Sequence, residues 1–223
     1  KRDKISLNDI TLWTGEPDSR ITAPNAHKAI PEIRALLDKD DFCGADKAIT
    51  KVQGHFSENY QPLGTLTIEY LDNVENISAY QRCLNLSDAT VHAEYLKQGK
   101  LFKTDYFASA PDSVIVVRLQ SDDDSGIHAV LSFDSPLPHA PMALNNEISV
   151  DGYAAYHSYP NYYDGTKDKH LYDPDRGIHF RTLIRVLAPD GLIESFSSGN
   201  IKINGSKEVL ILIANARSEE RRV

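Results

Sequence analysis

The sequence predicts an all-β fold, a large antiparallel β-sandwich with one short helical insert at about residues 25–54. Two observations support this prediction. Apolar and polar residues alternate along most of the chain after residue 63, which is the period of a strand with one buried face. The chain also lacks the strand–helix–strand alternation of parallel sheets, so antiparallel pairing is expected.

The clearest element is a hairpin within residues 100–117. Along residues 100–109, Lys103 and Asp105 alternate with larger or less polar side chains on the other face. That other face carries Phe102, Thr104, Tyr106 and Ala108. The Ala110-Pro111-Asp112 segment predicts a turn, because proline presets φ and aspartate can bond its own backbone. Residues 114–117 are all β-branched, which predicts a strand covered on both faces.

The other predicted strands share the same alternation and are bounded by Gly, Pro, Asn or Asp. They lie at residues 4–8, 63–70, 80–86, 91–97, 127–133, 178–187, 192–196, 200–203 and 209–214.

The helical insert is predicted from a change of period to 3.6. Ile33, Leu36 and Leu37 form an apolar stripe behind a first-turn proline, Pro31. A second helix is predicted at residues 42–52. We expect this helical pair to pack on the outside of a sheet or against a neighbouring domain.

Charge and composition exclude several classes of partner. The chain has 24 Lys and Arg against 32 Asp and Glu, a net charge of −8, which argues against nucleic acid and anionic membranes. The longest apolar runs are about five residues, far short of the roughly 20 that a membrane-spanning helix needs. Two cysteines, Cys43 and Cys83, are too few for a disulfide framework, and we expect both to be free packing residues.

No catalytic or cofactor motif is visible. Gly-rich phosphate loops and the Gly-x-Ser-x-Gly elbow are absent, and the eight histidines show no His-x-x-x-His or His-x-His pair. The acidic segment 121–126 lacks the ligand spacing of a calcium loop and predicts a solvated turn. The sequence therefore predicts no metal, no cofactor and no self-contained active site.

The candidate binding residues lie in a Tyr-rich segment, residues 135–177, where little regular structure is expected. Tyrosine suits carbohydrate or protein surfaces because it joins a flat apolar ring to a polar tip. A self-packed loop without a ligand is the alternative. Trp13, the only tryptophan, is interpreted either as a core residue or as a stacking surface for a sugar ring. The candidate residues for carbohydrate binding or domain docking are Trp13, Tyr156, His157, Tyr159, Tyr162 and Tyr163.

Six segments, in this order, together resemble a known family. They read LNDITLWTGEP at residues 7–17, PEIRALL at 31–37, YQPLG at 60–64, YQRCLNLSDA at 80–89, FASAPD at 107–112 and GIHF at 177–180. In this order they are similar to the N-terminal domain of glycoside hydrolase family 95, the inverting α-L-fucosidases, some of which act on α-L-galactosides. The chain departs from the family pattern at His179, where an arginine is usual, and in lacking a Gly-rich strand segment ahead of Lys1.

The resemblance implies a β-super-sandwich that packs on a following (α/α)6 catalytic barrel. The residues that protonate the glycosidic oxygen and activate water would belong to that barrel, so none is carried over to this chain. Residues 1–216 would be the sandwich and residues 217–223 the start of a linker. The resemblance also implies a fucosylated or related glycan as substrate and a periplasmic or extracellular location, although no signal peptide precedes Lys1.

Three functions follow as hypotheses. The chain is the accessory domain of an inverting exo-glycosidase, a carbohydrate-binding module acting alone, or an interaction domain whose tyrosine loop docks protein. The first predicts that hydrolysis needs a further domain, and the second predicts glycan binding by the chain alone.

Overall fold

The strands form two antiparallel sheets and a short ribbon in the computed structural model, which describes residues 2–17, 25–71 and 76–218. Each strand takes a number in chain order. The first seven are β1 (Arg2–Leu7), β2 (Gly64–Tyr70), β3 (Ile77–Asn85), β4 (Thr90–Lys97), β5 (Lys100–Ser109), β6 (Val114–Ser121) and β7 (Ile127–Asp134). The remainder are β8 (His139–Leu144), β9 (Glu147–Tyr153), β10 (His157–Ser158), β11 (His170–Leu171), β12 (His179–Leu187), β13 (Leu192–Phe196), β14 (Asn200–Ser206) and β15 (Glu208–Arg217).

Sheet topology follows from short antiparallel connections. The five-stranded sheet has the order β1-β2-β7-β14-β13, and the eight-stranded sheet has the order β3-β4-β5-β6-β15-β12-β9-β8. The ribbon consists of β10 and β11. The predicted all-β sandwich with a small helical insert is therefore confirmed.

The core lies between the two sheets, where the inward-facing half of each alternating strand is buried. Leu66 and Ile68 of β2 are fully buried, as are Val117 of β6 and Ile211 of β15. Because burying an apolar side chain of this size stabilises the fold by about 1.5–3 kcal/mol, these facing rows hold the sheets together.

The predicted central hairpin is confirmed as β5 and β6, which pair from Phe102 opposite Ser121 to Ser109 opposite Val114. Burial on both faces holds only for Val116 and Val117, whereas Val114 and Ile115 are partly exposed. The four β-branched residues thus overstate the cover, because the N-terminal end of β6 stays partly exposed.

The expectation of little regular structure in residues 135–177 was wrong for its first half. β8 and β9 form a hairpin there, joined by Asn145 and Asn146, which adopt positive φ of 50° and 63°. Pro141 obscures β8 in the sequence, yet it is tolerated because β8 is an edge strand of the eight-stranded sheet. The loop proper runs from residue 154 to residue 178 around the β10–β11 ribbon.

The helical insert spans residues 26–52 and contains α1 (Ile30–Leu37) and α2 (Phe42–Ile49), flanked by 3-10 turns at Ala26–Ala29 and Thr50–Val52. Asp41 caps α2 by accepting a hydrogen bond from the Gly44 amide at 2.9 Å. Lys51 pairs with Glu32 of α1 at 2.7 Å. The helices pack chiefly on each other, and the larger contacts between elements include none between the insert and a strand. Of the two predicted alternatives, packing on the outside of a sheet is thus not supported, and packing against a neighbouring domain stays a prediction. Within the described ranges, none of the helices has the length and apolar character needed to cross a membrane.

The two cysteines are free, as predicted, but neither packs inside the protein. Cys43 is exposed on α2 and Cys83 is exposed on β3. The prediction of a packing role was wrong because β3 is an edge strand whose side chains are exposed over nearly its whole length.

Candidate functional site

A cleft of about 640 Å³ lies beside the Tyr-rich loop. Three segments of the chain form it: Glu16 and Pro17 on one side, Gly54 to Glu58 directly after the helical insert, and the loop around the β10–β11 ribbon. Its size is within the range of small-molecule sites in proteins.

Glu58 makes three hydrogen-bond contacts at the cleft. Its Oε1 lies 2.6 Å from Nδ1 of His157, and its Oε2 accepts hydrogen bonds from the Thr14 hydroxyl at 2.5 Å and from the Ser158 amide at 3.1 Å. Because a carboxylate accepts hydrogen bonds, Nδ1 of His157 is the protonated nitrogen of this pair. In the neutral ring, Nε2 is then left as an acceptor that a ligand hydroxyl can use.

A second layer of hydrogen bonds holds the ribbon against the segment after the insert. Asn59 donates its amide N–H to the Thr14 hydroxyl at 2.8 Å and its side-chain NH₂ to Oγ of Ser158 at 2.6 Å. Oγ of the fully buried Ser158 also lies 3.0 Å from Nδ1 of His170. The two hydrogen bonds of Asn59 join segments 45 and 99 residues apart, so they tie the ribbon and the Thr14 segment to the segment that carries Glu58.

Arg176 closes one wall of the cleft. Its guanidinium makes a two-point ion pair with Glu16, with Nε to Oε2 at 3.0 Å. The guanidinium carbon also lies 3.6 Å from the centre of the Tyr156 ring, a cation–π contact. The hydrogen bond to Glu16 raises the pKa of Arg176 above its usual value. The Arg176 guanidinium therefore stays protonated, and the carboxylate of Glu16 neutralises its charge locally.

The aromatic rings of the cleft pack mainly on one another. Tyr159 and Tyr163 stack with centroids 4.9 Å apart at 15°, and Phe56 meets Tyr163 edge-on at 5.2 Å. His157 meets Tyr159 edge-on at 4.4 Å. The stacked contact covers one face of Tyr159 and one face of Tyr163. Part of the aromatic surface of this cluster is therefore used for packing within the protein.

The structure brings four of the six candidate residues together: Tyr156, His157, Tyr159 and Tyr163 all line the cleft. Tyr162 does not line it, and its side chain is 79% exposed beside Phe56.

Trp13 lies outside the cleft lining and is not a core residue, since 45% of it is exposed. Its Nε1–H donates to the Ile10 carbonyl at 3.0 Å, and its ring meets Tyr60 edge-on at 6.1 Å. The interpretation as a core residue was wrong, because the ring packs on the half-exposed Tyr60 and not between the sheets. Its role as a stacking surface stays a prediction.

Sequence reasoning missed Glu16, Phe56, Glu58 and Arg176. Glu58 and His157 are 99 residues apart, and Glu16 and Arg176 are 160 residues apart. Spacing carries no signal at such separations, because only the packing of loops brings the partners together. Over the part of the chain that the structure describes, no group of three or more His, Cys, Asp or Glu side chains could hold a metal ion.

Comparison with known proteins gives one family and two relatives. The family described as "Glycosyl hydrolase family 65, N-terminal domain" matches residues 1–220. "Alpha-L-fucosidase 2" of Arabidopsis thaliana is 26% identical over 219 residues, covering 94% of this chain and 26% of the relative. "Probable alpha-fucosidase A" of Aspergillus niger is 26% identical over 228 aligned positions, covering 96% of this chain and 26% of the relative. The chain thus spans about a quarter of the length of the curated relatives it matches.

Proposed function

Because this chain belongs to the family described as "Glycosyl hydrolase family 65, N-terminal domain", we propose that it is the accessory domain of a longer exo-acting α-L-fucosidase. The observation that carries the proposal is the match over residues 1–220 together with two relatives that are both named as fucosidases. The finer assignment to glycoside hydrolase family 95 is supported by the six ordered segments of the sequence. Cleavage of α-L-galactosides is the alternative activity.

In this proposal the chemistry belongs to a following catalytic domain, an (α/α)6 barrel. The parent enzyme would act with inversion: an acid protonates the glycosidic oxygen while water, activated on the opposite face of the sugar, attacks the anomeric carbon. This chain would support that domain and form part of the wall around its substrate. Its own carboxylates fit such a supporting role, because Glu58 and Glu16 are engaged by His157 and Arg176.

The domain boundary is part of the proposal. We place the sandwich at residues 1–216 and the start of the linker at residues 217–223. The last strand, β15, reaches Arg217, and residues 219–223 lie outside the described residues. We also propose that the parent enzyme is periplasmic or extracellular, which cell fractionation tests.

Hydrolysis tests the division of labour. The full parent polypeptide is expected to release L-fucose from a 2-fucosylated oligosaccharide, with the β-anomer as the first product by NMR because the reaction inverts. The 223-residue chain is expected to release none. Hydrolysis by the chain alone, or an α-anomer as first product from the parent, would contradict the proposal.

A second candidate function is sugar binding by this chain itself. The observation that favours it is the cleft itself, which His157 and three tyrosines line together. Titration of the chain with 2′-fucosyllactose is expected to give saturable binding that His157→Ala abolishes. Tyr162→Phe removes a hydroxyl from the same loop outside the cleft and is the matched control. Flat titrations over a broad glycan array would leave protein docking as the role of the loop.

A further inference from the structure

The helical insert stands between two walls of the cleft in the order of the chain. Glu16 and Pro17 precede it, and Gly54, His55 and Phe56 follow its last 3-10 turn. The C-terminal end of the insert, Val52, is two residues from Gly54 of the cleft, so the two features adjoin at that point.

The insert carries large apolar side chains at its surface. Ile30 and Leu37 of α1 are 41% and 45% exposed, and Phe42 and Ile49 of α2 are 65% and 42% exposed. Each pair is seven residues apart, so its two members lie on the same face of their helix. A regular exposed stripe on both helices differs from the scattered apolar residues that any surface carries.

The buried side chains of the insert are correspondingly small. Its buried residues are the alanines Ala29, Ala45 and Ala48, and none of its described residues belongs to the core between the sheets. Helix pairs of this length gain most of their stability from packing an apolar face against other elements. Among the described residues, the larger side chains of that face stay 41–65% exposed.

The exposed side chains of β9 and β12 form ion pairs by contrast, whereas other strands of the same sheet expose apolar residues such as Leu84 on β3 and Met142 on β8. Arg181 pairs with Asp151 at 2.6 Å, and Arg185 pairs with Glu147 at 2.8 Å, across neighbouring strands. The insert instead combines its apolar stripes with five Lys and Arg against five Asp and Glu over residues 25–53, a net charge of zero. Its surface is suited to an apolar partner and needs no charge complementarity.

We propose, resting on the proposed function, that the apolar side of α1 and α2 is the surface on which the remainder of the glycosidase polypeptide docks, and that this docking sets the remainder beside the cleft. The occupant follows from length. The two relatives share only 26% of their chains with this domain, so about three quarters of each lies outside the shared part. A domain of that size offers the extended apolar surface that the stripes need. The association is driven by apolar burial and is insensitive to salt.

Hydrogen–deuterium exchange tests this docking. Amides of residues 30–49 are expected to exchange at least tenfold more slowly in the full parent polypeptide than in the 223-residue chain. The double variant Phe42→Asp, Ile49→Asp is expected to return them to the rate of the chain alone. Leu192→Asp is the matched control, because Leu192 is 61% exposed on β13, and it is expected to leave the protection intact.

Two further measurements separate docking from folding and from self-association. In the 223-residue chain the double variant is expected to keep the thermal midpoint, since both side chains are exposed there. Unchanged exchange of residues 30–49 between chain and parent would overturn the inference. Sedimentation equilibrium that shows a dimer of the chain, broken by Phe42→Asp, would also overturn it in favour of a second copy.

Hydrolysis distinguishes this inference from the proposed function. A parent that releases fucose while residues 30–49 stay unprotected contradicts the docking surface alone. A parent whose insert is protected but which cleaves no fucoside contradicts the proposed activity alone.

Discussion

Glu58 shows how one side chain joins the segments of the cleft. Its two oxygens contact Thr14 ahead of the insert and both His157 and Ser158 of the ribbon. The side chain is 31% exposed, so these hydrogen bonds lie partly out of water, where a lost acceptor is costly.

Glu58→Gln is expected to lower the free energy of unfolding by about 1–3 kcal/mol, because the NH₂ group replaces one of the two acceptor oxygens and faces a donor. Urea denaturation of the 223-residue chain measures the change. Glu69→Gln is the control, since Glu69 pairs with Arg2 at the surface at 2.8 Å, and exposed pairs contribute about 0–1 kcal/mol. Equal losses in the two variants would contradict the central position of Glu58.

Part of the candidate site could be predicted from the sequence. Tyr156, His157, Tyr159 and Tyr163 lie within eight residues of one another, so their composition marked the loop before its shape was known. Glu16, Glu58 and Arg176 carry no local signal, because their function as walls exists only once three separate segments meet. Trp13 shows the converse error: a lone tryptophan suggested a core residue, but its ring lies at the surface against Tyr60.

Two glycines at turns between strands differ in how closely other backbone atoms approach them. Gly99 in the β4–β5 turn and Gly126 before β7 have similar positive φ, 78° and 72°. A methyl group at Gly99 would meet nothing within 4 Å, whereas at Gly126 it would lie 2.5 Å from the carbonyl carbon of Gly205. The two positions therefore separate the cost of the left-handed backbone from the cost of a steric clash.

Gly99→Ala is expected to lower the free energy of unfolding by about 1–2 kcal/mol, the cost of a side chain in the left-handed region. Gly126→Ala is expected to cost clearly more, because the backbone of β14 at Gly205 must also move. Urea denaturation of both variants under the same conditions gives the comparison. A Gly126→Ala loss no larger than that of Gly99→Ala would show that the turn can shift freely.

The bounds of strands with a clean alternation of apolar and polar residues were predicted closely. The range predicted for the first strand of the hairpin is that of β5, and the range predicted at residues 192–196 is that of β13. β8 was missed because Pro141 normally marks a break, and only its place at the edge of the sheet makes the proline acceptable. β15 extends to Arg217, beyond the predicted end at residue 214, because β12 continues to pair with it as far as Phe180.

The two sheets are joined by a polar contact as well as by the core. Asp3 of β1 accepts hydrogen bonds from the hydroxyls of Tyr70 at 2.9 Å and Tyr106 at 3.3 Å, and Tyr106 belongs to the opposite sheet. Burial, the charge of Asp3 and the hydrogen bond to it raise the pKa of each tyrosine well above its usual value of about 10.

The free energy of unfolding is expected to fall as the pH rises above about 10. In that range the tyrosines of the unfolded chain ionise while Tyr70 and Tyr106 stay protonated in the folded protein, so the folded state binds more protons and loses stability with rising pH. Urea denaturation at a series of alkaline pH values measures this slope. The Tyr70→Phe, Tyr106→Phe variant is expected to show a shallower decline, whereas Tyr162→Phe, exposed in the loop, is expected to keep the original slope. Identical slopes in all three proteins would contradict the effect.

The sequence alone established the all-β class, the helical insert, the hairpins and the tyrosine-rich loop, because each depends on periodicity and turn chemistry within a few neighbouring residues. The pairing of Glu58 with His157 and of Arg176 with Glu16, the surface position of Trp13 and the uncovered stripes of α1 and α2 emerged only in three dimensions. These features depend on which distant segments pack together and on how far each sheet extends over the other. Local patterns do not encode either property.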